Sequence, residues 1–498
     1  MTASRSDRSG VYGVACCRRA AFPWRVSATT TSDRPLPAAG EPGRPSTAPA
    51  PPPAAVPSAR EPGGADALRR LLRRVHFYAG VLVAPFLAIL CLSGIAYVFT
   101  PQINDLIHAQ ELRVTPQAGP VAPLDEQVAA ARAAYPGVPL TSVQPAAAPD
   151  RTTAVVLTPP GAAEGETLGV YVDPYTAQVT GALPLQDGEP PVQHWLRTLH
   201  GDLHLGTVGG IYSEFAASGL PVLFVGGLVL WFGKRRARRR DLVVPASGRP
   251  GRLRTMSWHG SVGIWLTAAL VFISLTGLTW STFAGERFQT VLTGLGARTP
   301  TLSTDPLPAP PTASSVIGVA QAETIGRAAG LEGPLTITPP AEPGEPLLVA
   351  ETSSTVPLHR DKIALDPYTG EVVETLAFAD YPFLAKLTTI GILAHTGTLF
   401  GLVNQLAMTA MALGVLAMLF WGYRMWWQRR PTRGGAPRPL ERRGVLRTTP
   451  QPVLFAVVLV AVLAGWLMPV LGASLAVFLV ADTAWAAVGR RRATTAAG

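Results

Sequence analysis

The chain contains an internal repeat, and each copy places histidines in long apolar segments. Two histidines are followed by glycine at +4 and by Ser-Gly or Thr-Gly at +17 and +18: His76 with Gly80, Ser93 and Gly94, and His259 with Gly263, Thr276 and Gly277. Two more are followed by glycine at +6 and tryptophan at +31: His200 with Gly206 and Trp231, and His395 with Gly401 and Trp426. Histidine in an apolar helix is costly and is usually functional. The repeat therefore restricts the folds that this chain can adopt, and it indicates that the histidines bind a cofactor.

A third match lies between the histidines of each copy. Asp173-Pro174-Tyr175-Thr176 recurs as Asp366-Pro367-Tyr368-Thr369. The three matches keep one order, at separations of 183, 193 and 195 residues. This regularity predicts a duplicated unit of helix, soluble domain and helix, with one histidine on each helix.

The composition is that of a membrane protein. Of 498 residues, 48% are hydrophobic and only 15% are charged, which is typical of membrane chains. The net charge of +10 is concentrated at the ends of apolar segments, which favours membrane topology over nucleic-acid binding. A span needs about 20 residues, and the first four apolar segments are long enough. The six segments lie at about 75–100, 208–232, 258–283, 388–427, 453–468 and 470–488.

Basic residues predict the orientation. The segment 234–255 holds nine basic residues and one acid, whereas 101–190 holds three arginines and ten acids. The positive-inside rule then places both termini in the cytoplasm and the long connections outside. The predicted segments are a disordered cytoplasmic tail (1–65), transmembrane helices (66–100, 191–233, 257–283 and 383–430), extracytoplasmic domains (101–190 and 284–382), a basic cytoplasmic loop (234–256), a cytoplasmic linker (431–450), a transmembrane helical hairpin (451–489) and a cytoplasmic tail (490–498).

Each extracytoplasmic segment predicts a small α+β domain. An amphipathic helix at 122–135 precedes two β-type runs, and the second copy follows the same order. The Asp-Pro-Tyr-Thr sequence suits a hairpin turn, so Asp173 and Asp366 are interpreted as turn residues rather than as acid–base catalysts.

With these motifs, residues 66–430 resemble the PepSY-associated transmembrane family. The resemblance rests on the Asp-Pro-Tyr-Thr hairpins, on Arg-Arg-x-His ending at His76, and on Leu-His-x-x-Leu around His200. The family includes iron-regulated membrane proteins and ferrisiderophore reductases of the bacterial plasma (inner) membrane. It implies a polytopic α-helical membrane protein: a duplicated four-helix transmembrane bundle, two small α+β PepSY extracytoplasmic domains and, here, an added C-terminal helical hairpin.

The four repeated histidines are the candidate cofactor ligands. By this topology His76 and His259 lie near the cytoplasmic face, whereas His200 and His395 lie near the outer face. Two histidines at each level, each from a different helix, are the axial ligands that two b-type haems need in a four-helix bundle. The matched glycines let helices or a flat porphyrin approach closely. Without a Cys-x-x-Cys-His sequence, covalent c-type attachment is not expected.

Other histidines leave alternatives open. His204 lies one turn beyond His200 and competes with it as a haem ligand, or it contacts a haem propionate. His194 and Trp195 lie where they can face a substrate, and His108 and His359 are interpreted as surface residues. If residues 200–231 form one helix, His200 stands about 46 Å from Trp231, which would hold the haems far apart.

The expected function is transmembrane electron transfer to a ferric siderophore or another ferric chelate, in the role of a ferric reductase. No dinucleotide-binding or phosphate-loop motif is present, so electrons would come from quinol or from a cytoplasmic reductase. The partners expected are the lipid bilayer, this donor and the chelate, and no nucleic acid. One alternative is a non-catalytic PepSY membrane protein that binds or regulates extracytoplasmic proteases. A transporter is disfavoured because the spans show no acidic residue or broken helix.

Overall fold

The computed structural model describes residues 64–233, 239–246, 248, 250–307, 315–429 and 450–495. The predicted tail up to residue 63, the linker at 431–449 and residues 234–238 of the basic loop lie outside the described residues. The helices are α1 (Gly64–Val98), α2 (Thr100–Ile107), α3 (Ala109–Leu112), α4 (Leu124–Ala134), α5 (Pro191–Asp202), α6 (Gly206–Phe232), α7 (Arg239–Val243), α8 (Gly251–Leu278), α9 (Thr282–Gly294), α10 (Val319–Ala328), α11 (Phe383–His395), α12 (Leu402–Trp427), α13 (Gln451–Leu467) and α14 (Pro469–Thr495). A 3₁₀ turn covers Phe378–Asp380.

Four helices, α1, α6, α8 and α12, are long and apolar enough to cross a membrane. Helix α1 packs on α6 and α12, and α8 packs on the same two helices. The four therefore form a ring in the order α1, α6, α8, α12, with α1 and α8 diagonally opposite. Buried Val83, Leu87 and Ala216 form the apolar contact between α1 and α6.

The predicted second and fourth transmembrane helices are each broken in two, so the expectation of one continuous helix over 191–233 and over 383–430 is wrong. Between α5 and α6, Leu203 and His204 adopt left-handed backbone angles, with φ of 59° and 56°. Between α11 and α12, Gly397 and Gly401 have φ of 82° and 55°. These conformations end a right-handed helix, so His200 and His395 lie on short helices that precede the spans.

The two long connections share one antiparallel β-sheet of eight strands. The strands are β1 (Leu140–Gln144), β2 (Thr153–Leu157), β3 (Glu166–Val172), β4 (Val179–Gln186), β5 (Leu335–Thr338), β6 (Leu347–Glu351), β7 (Lys362–Leu365) and β8 (Val372–Leu376), and their spatial order is β4-β3-β2-β1-β5-β6-β7-β8. β1 meets β5 at Val143 and Ile337, and both residues belong to one core that also includes side chains of α4 and α10. The expectation of two separate small domains is therefore corrected: each connection supplies half of a joint α+β unit.

The Asp-Pro-Tyr-Thr sequences form the predicted turns. Asp173 Oδ1 accepts a hydrogen bond from the Tyr175 backbone N–H at 2.8 Å, and Asp366 Oδ1 accepts one from Tyr368 at 2.8 Å. These turns connect β3 to β4 and β7 to β8. Since each carboxylate serves its own turn, the interpretation of Asp173 and Asp366 as turn residues is confirmed.

The C-terminal helices α13 and α14 form the predicted hairpin. Pro469 starts α14 directly after Met468, and Gly465 and Gly472 let the two backbones approach closely. Phe478 of α14 packs against Tyr78 of α1, with ring centroids 5.8 Å apart. The hairpin therefore packs on the outside of the four-helix ring, where it also contacts α6 and α9.

Candidate functional site

His76 and His259 face each other across the middle of the four-helix ring, and we call them the His76 pair. Their ring centroids are 6.3 Å apart and the ring planes lie at 85°. His259 Nδ1 donates a hydrogen bond to the Met418 carbonyl at 3.1 Å. His76 Nδ1 is buried without a hydrogen-bond partner, and the Leu223 backbone lies close to the same ring. Leu223 and Met418 are 195 residues apart, which is also the spacing of His200 and His395.

His200 and His395 form a second facing pair, which we call the His200 pair. Their centroids are 6.5 Å apart and the ring planes lie at 79°. Ser93 Oγ lies 3.0 Å from His200 Nδ1, and Thr276 Oγ1 lies 2.7 Å from His395 Nδ1. The Ser-Gly and Thr-Gly matches of the repeat thus have a structural role, because each hydroxyl meets a histidine of the second pair.

These contacts favour the same tautomer in three of the four rings. The Ser93 hydroxyl donates to the Ile89 carbonyl and the Thr276 hydroxyl to the Phe272 carbonyl, each at 2.8 Å. Each hydroxyl oxygen is then free to accept a hydrogen bond from Nδ1–H. A carbonyl can only accept, so His259 also carries its proton on Nδ1. This leaves Nε2 as a lone-pair donor to a metal, the arrangement in which a second acceptor orients a ligating histidine.

Glycines flank all four rings. A Cβ atom added at Gly94 would lie 3.2 Å from His200 Cε1, and one at Gly227 would lie 3.2 Å from His76 Cε1. The corresponding distances are 3.4 Å from Gly277 to His395 and 4.0 Å from Gly422 to His259. Gly94 and Gly277 belong to the repeat recognised in the sequence. Gly227 and Gly422 were missed there, although their separation of 195 residues was a readable signal.

Gly80 and Gly263 act on helix packing instead. A Cβ at Gly80 would lie 3.7 Å from Leu223 Cδ2, and one at Gly263 would lie 3.0 Å from Met418 Cε. These glycines therefore bring α1 close to α6 and α8 close to α12. They set the positions of Leu223 and Met418, whose backbones lie close to the rings of the His76 pair.

The donor set of each pair fits a haem better than a bare metal ion. Within the described residues, no group of three or more His, Cys, Asp or Glu side chains gathers to hold a metal, whereas zinc sites take three or four protein ligands. Two facing imidazoles suit a metal whose remaining positions are filled by a flat macrocycle. The centroid distances leave room for two metal–nitrogen bonds of about 2 Å each. The glycines keep side-chain atoms away from the same gap.

The two pairs lie at separate levels of one bundle. Ser93 contacts His200 and lies 17 residues after His76 on α1, which places the levels about 26 Å apart at 1.5 Å per residue. Between them lies an apolar layer that includes Val83, Leu87 and Leu419. The distance of 46 Å from His200 to Trp231 assumed one continuous helix. Since α5 is separate from α6, that distance does not apply.

His204 is not brought to either pair. It is exposed in the turn after α5, and its ring stacks on Trp195 with centroids 4.9 Å apart. His194 lies within hydrogen-bond distance of Arg197 and Thr198, at 3.0 and 3.3 Å. The geometry therefore favours His200 over His204 as a ligand and gives His194 local polar partners.

The two remaining histidines belong to the connections. His359 Nδ1 lies 3.8 Å from a Glu351 carboxylate oxygen. His108, expected at the surface, is only partly exposed, and its Nε2 atom is buried without a hydrogen-bond partner. Neither residue lies in a histidine pair.

Glu214 was missed by the sequence analysis, and the statement that the spans show no acidic residue or broken helix is wrong. This carboxylate is 1% exposed within α6. It accepts hydrogen bonds from the backbone N–H groups of Phe283 and Ala284 at 2.9 and 3.1 Å. Glu214 thus caps the N-terminus of α9, a favourable position for a carboxylate. An acid inside an apolar segment was a visible signal.

The architecture defines a multi-pass helical membrane protein with two half-buried histidine pairs and an α+β unit between its spans. The chain belongs to the family described as the PepSY-associated TM region, whose model matches residues 73–429. No curated protein matches the chain. The family match includes the four paired histidines, both halves of the sheet and all four spans apart from the first residues of α1.

Proposed function

We propose that this protein carries electrons across a bacterial plasma membrane through two non-covalent b-type haems. His76 and His259 would ligate one haem, and His200 and His395 the other. The observation that carries the proposal is the facing of two imidazole pairs, at 6.3 and 6.5 Å, inside one helical bundle. The matched spacings of 183 and 195 residues support a bundle built from two copies of one unit.

When bound, haem supplies the one-electron chemistry. The protein's own part is to present Nε2 from paired rings and to fix their orientation through Nδ1 partners. The apolar layer around Val83, Leu87 and Leu419 keeps water from the path between the pairs. Gly94 and Gly227 carry no side chain, which leaves space beside the His200 and His76 rings.

We place electron release at the His200 pair. Trp280 lies beside His395, with ring centroids 6.5 Å apart, and its side chain is 56% exposed. A soluble acceptor can therefore come near this pair from the sheet side of the bundle. Our proposed acceptor is an extracytoplasmic ferric siderophore or other ferric chelate, since reduction weakens the hold of hard oxygen ligands on iron. Quinol or a cytoplasmic reductase would deliver electrons to the His76 pair.

A second candidate is a non-catalytic PepSY membrane protein that binds or regulates extracytoplasmic proteases. It is favoured by the sheet: among the described strands, the edge strands β4 and β8 each pair with one neighbour, and such an edge can accept an extended peptide. This function gives no role to the two histidine pairs, so we rank it below electron transfer.

The test is a reduced-minus-oxidised visible spectrum of the purified protein with haem quantified per chain. We expect about two b-type haems per chain, with one lost in His76→Ala and the other in His395→Ala. His204→Ala is the matched control and should retain both. A folded protein from haem-replete cells that binds no haem would reject the proposal and favour the regulatory candidate.

A further inference from the structure

The repeat places an aromatic residue at the end of α1 and another just after α8, and their surroundings differ. Tyr97 lies in the last turn of α1, Trp280 lies two residues after α8, and they are 183 residues apart. The Trp280 ring lies 6.5 Å from the ring of His395, and 56% of the residue is exposed. Tyr97 is only partly exposed, and its hydroxyl donates a hydrogen bond to Glu189 at 3.1 Å. The end of α8 thus presents an exposed ring, whereas the ring at the end of α1 is held by a polar contact.

The backbone at the end of α1 is covered by α12 and by the turn that precedes it. Gln405 of α12 is 3% exposed, and its Nε2 atom donates a hydrogen bond to the Val98 carbonyl at 2.8 Å. A Cβ atom added at Gly397, in the turn between α11 and α12, would lie 3.0 Å from Val98 Cβ. Because both contacts are made at Val98, the end of α1 is closed against the neighbouring span.

The equivalent residues at the end of α8 cannot make the same contact. The repeat pairs Val98 with Ser281 and Gln405 with Gly210, at separations of 183 and 195 residues. Glycine has no side-chain amide, so Gly210 cannot cover the Ser281 carbonyl as Gln405 covers that of Val98. The Ser281 carbonyl instead accepts a hydrogen bond from the Gly285 backbone N–H at 3.0 Å, at the start of α9. The end of α8 is therefore not closed by α6 in the way that α12 closes the end of α1.

The turns that follow the two short helices show the same difference. Leu399, in the turn after α11, is 3% exposed, and its carbonyl accepts a hydrogen bond from the Val356 backbone N–H at 2.9 Å. The Thr355 hydroxyl donates to the Thr398 carbonyl at 3.1 Å, so the loop between β6 and β7 lies on this turn. His204 lies 195 residues before Leu399, in the turn after α5, and is exposed. One side of the His200 pair is thus covered and the other is open.

We propose that electrons leave the His200 pair on one side only, at Trp280, whose exposed indole is the surface that the ferric chelate contacts. This inference rests on the proposed function. An indole offers a broad face for stacking and one N–H for a hydrogen bond, and this one lies directly beside the His395 ring. In the step, one electron passes from ferrous haem iron to the ferric chelate, which becomes ferrous, and no bond forms or breaks in the protein. At the equivalent position the Tyr97 hydroxyl already binds Glu189.

The experiment times the reoxidation of reduced haem by a ferric chelate. Full-length protein in nanodiscs is reduced, freed of excess reductant and mixed with ferric nitrilotriacetate, and the haem spectrum is followed by stopped flow. In Trp280→Ala the second-order rate constant should fall by about 2–10-fold, the effect of losing one aromatic contact. Haem content and both midpoint potentials should stay at their wild-type values. Trp280→Phe retains an aromatic face and should react nearly as fast as the wild type.

The matched control is Trp195→Ala. Trp195 is 53% exposed but stacks on His204 rather than on a paired histidine, so this variant should keep the wild-type rate. Equal rates in the wild type and in Trp280→Ala would overturn the one-sided exit while leaving the proposed function intact. The exit is also overturned if Trp195→Ala slows the reaction equally, or if Trp280→Ala shifts a midpoint potential, because the indole would then act through His395. A wild type that binds no haem would overturn both proposals.

Discussion

The two histidine pairs have nearly the same ring spacing but are built differently. The His76 pair comes from long spanning helices: His259 Nδ1 donates to the Met418 backbone carbonyl, and the Leu223 backbone lies close to His76. The His200 pair comes from the short helices α5 and α11, and its Nδ1 atoms meet the hydroxyls of Ser93 and Thr276. A backbone carbonyl is present whatever the side chain, whereas a hydroxyl is removed by one substitution. The His200 pair is thus the one whose ligand properties a point mutation can adjust.

The short helices also connect the His200 pair to the sheet. On α5, Arg197 donates to Glu189 at 2.6 Å and to Asp187 at 2.7 Å, and Glu189 also accepts a hydrogen bond from Tyr97 of α1 at 3.1 Å. The other short helix is held to a span instead: Asn404 of α12 donates to the Ala394 carbonyl of α11 at 2.9 Å. The His76 pair has no such short helix, because α1 and α8 carry its rings directly. Substitutions should therefore affect the two pairs independently.

The largest effect is expected from filling the space beside a ring. Gly94→Leu would force side-chain atoms against His200, and overpacking of this kind costs about 1–3 kcal/mol. Haem affinity at the His200 pair should fall about 10–100-fold, while the His76 pair keeps its haem. Haem retention measured per chain checks this result. Gly201→Leu is the matched control, because a Cβ there meets no atom within 4 Å. Equal haem loss in both variants would show that the ring contact is not the cause.

A smaller effect is expected from removing one Nδ1 acceptor. In Ser93→Ala, His200 becomes a less basic ligand, so the oxidised haem loses stabilisation and the midpoint potential rises. A hydrogen bond worth about 1 kcal/mol corresponds to about 40 mV for one electron. Spectroelectrochemical titration should show this rise for one haem only.

Ser93→Thr is the matched variant, because it retains a hydroxyl and should leave the potential near that of the wild type. A shift of both haems, or a fall in potential, would contradict the independent action of the two pairs.

Glu214 should affect stability rather than either haem potential. Glu214→Gln removes the negative charge at the start of α9 and turns one acceptor into a donor that faces backbone N–H groups. Losing such a cap costs about 1–2 kcal/mol, which thermal unfolding in detergent would show as a lower midpoint. Glu286→Gln, on the exposed face of α9, is the control and should change little. If Glu214→Gln left stability unchanged and altered electron transfer, the cap would not be its main role.

The smallest effect is expected from Asp105 of α2, whose carboxylate pairs with Arg113 and Arg151. Burial alone would raise the pKa of Asp105, but hydrogen bonds from Arg151 and Arg113 and their positive charges lower it overall. A lowered carboxyl pKa adds stability above the pKa of the unfolded chain, about 4, and this contribution is lost as the pH falls through the folded pKa.

Asp105 is partly exposed and its partners Arg113 and Arg151 are more so, so solvent screens the pair and Asp105→Asn should cost less than about 1 kcal/mol at pH 7. The difference from wild type in thermal unfolding should shrink when the pH is lowered below 4. A difference that grows on acidification would contradict the sign of this contribution.

Sequence periodicity and composition predicted the four long apolar helices and the two Asp-Pro-Tyr-Thr turns correctly. They missed the break before α6, because Leu203 and His204 are not residues that usually mark a left-handed turn. They also missed the break before α12, although Gly397 and Gly401 were a readable signal there. They also missed the contact of Val143 with Ile337, which joins strands far apart in the sequence. The repeat located the four histidines, but only the fold shows which histidines face each other and that His204 stands apart. Glu214 could have been found, since a lone acid in an apolar span is informative by itself.

The most direct test of the account is electron transfer across a sealed membrane. The protein is reconstituted in vesicles that contain an impermeant reductant, and a ferric chelate with a ferrous-iron indicator is added outside. We predict ferrous iron outside wild-type vesicles at a rate well above that of protein-free vesicles. The rate should fall to the protein-free level in both His76→Ala and His395→Ala, and it should be retained in His204→Ala. Wild-type vesicles that bind haem but reduce no external iron, or alanine variants that reduce it as fast as wild type, would contradict the proposal that electrons cross the bundle through the two histidine pairs.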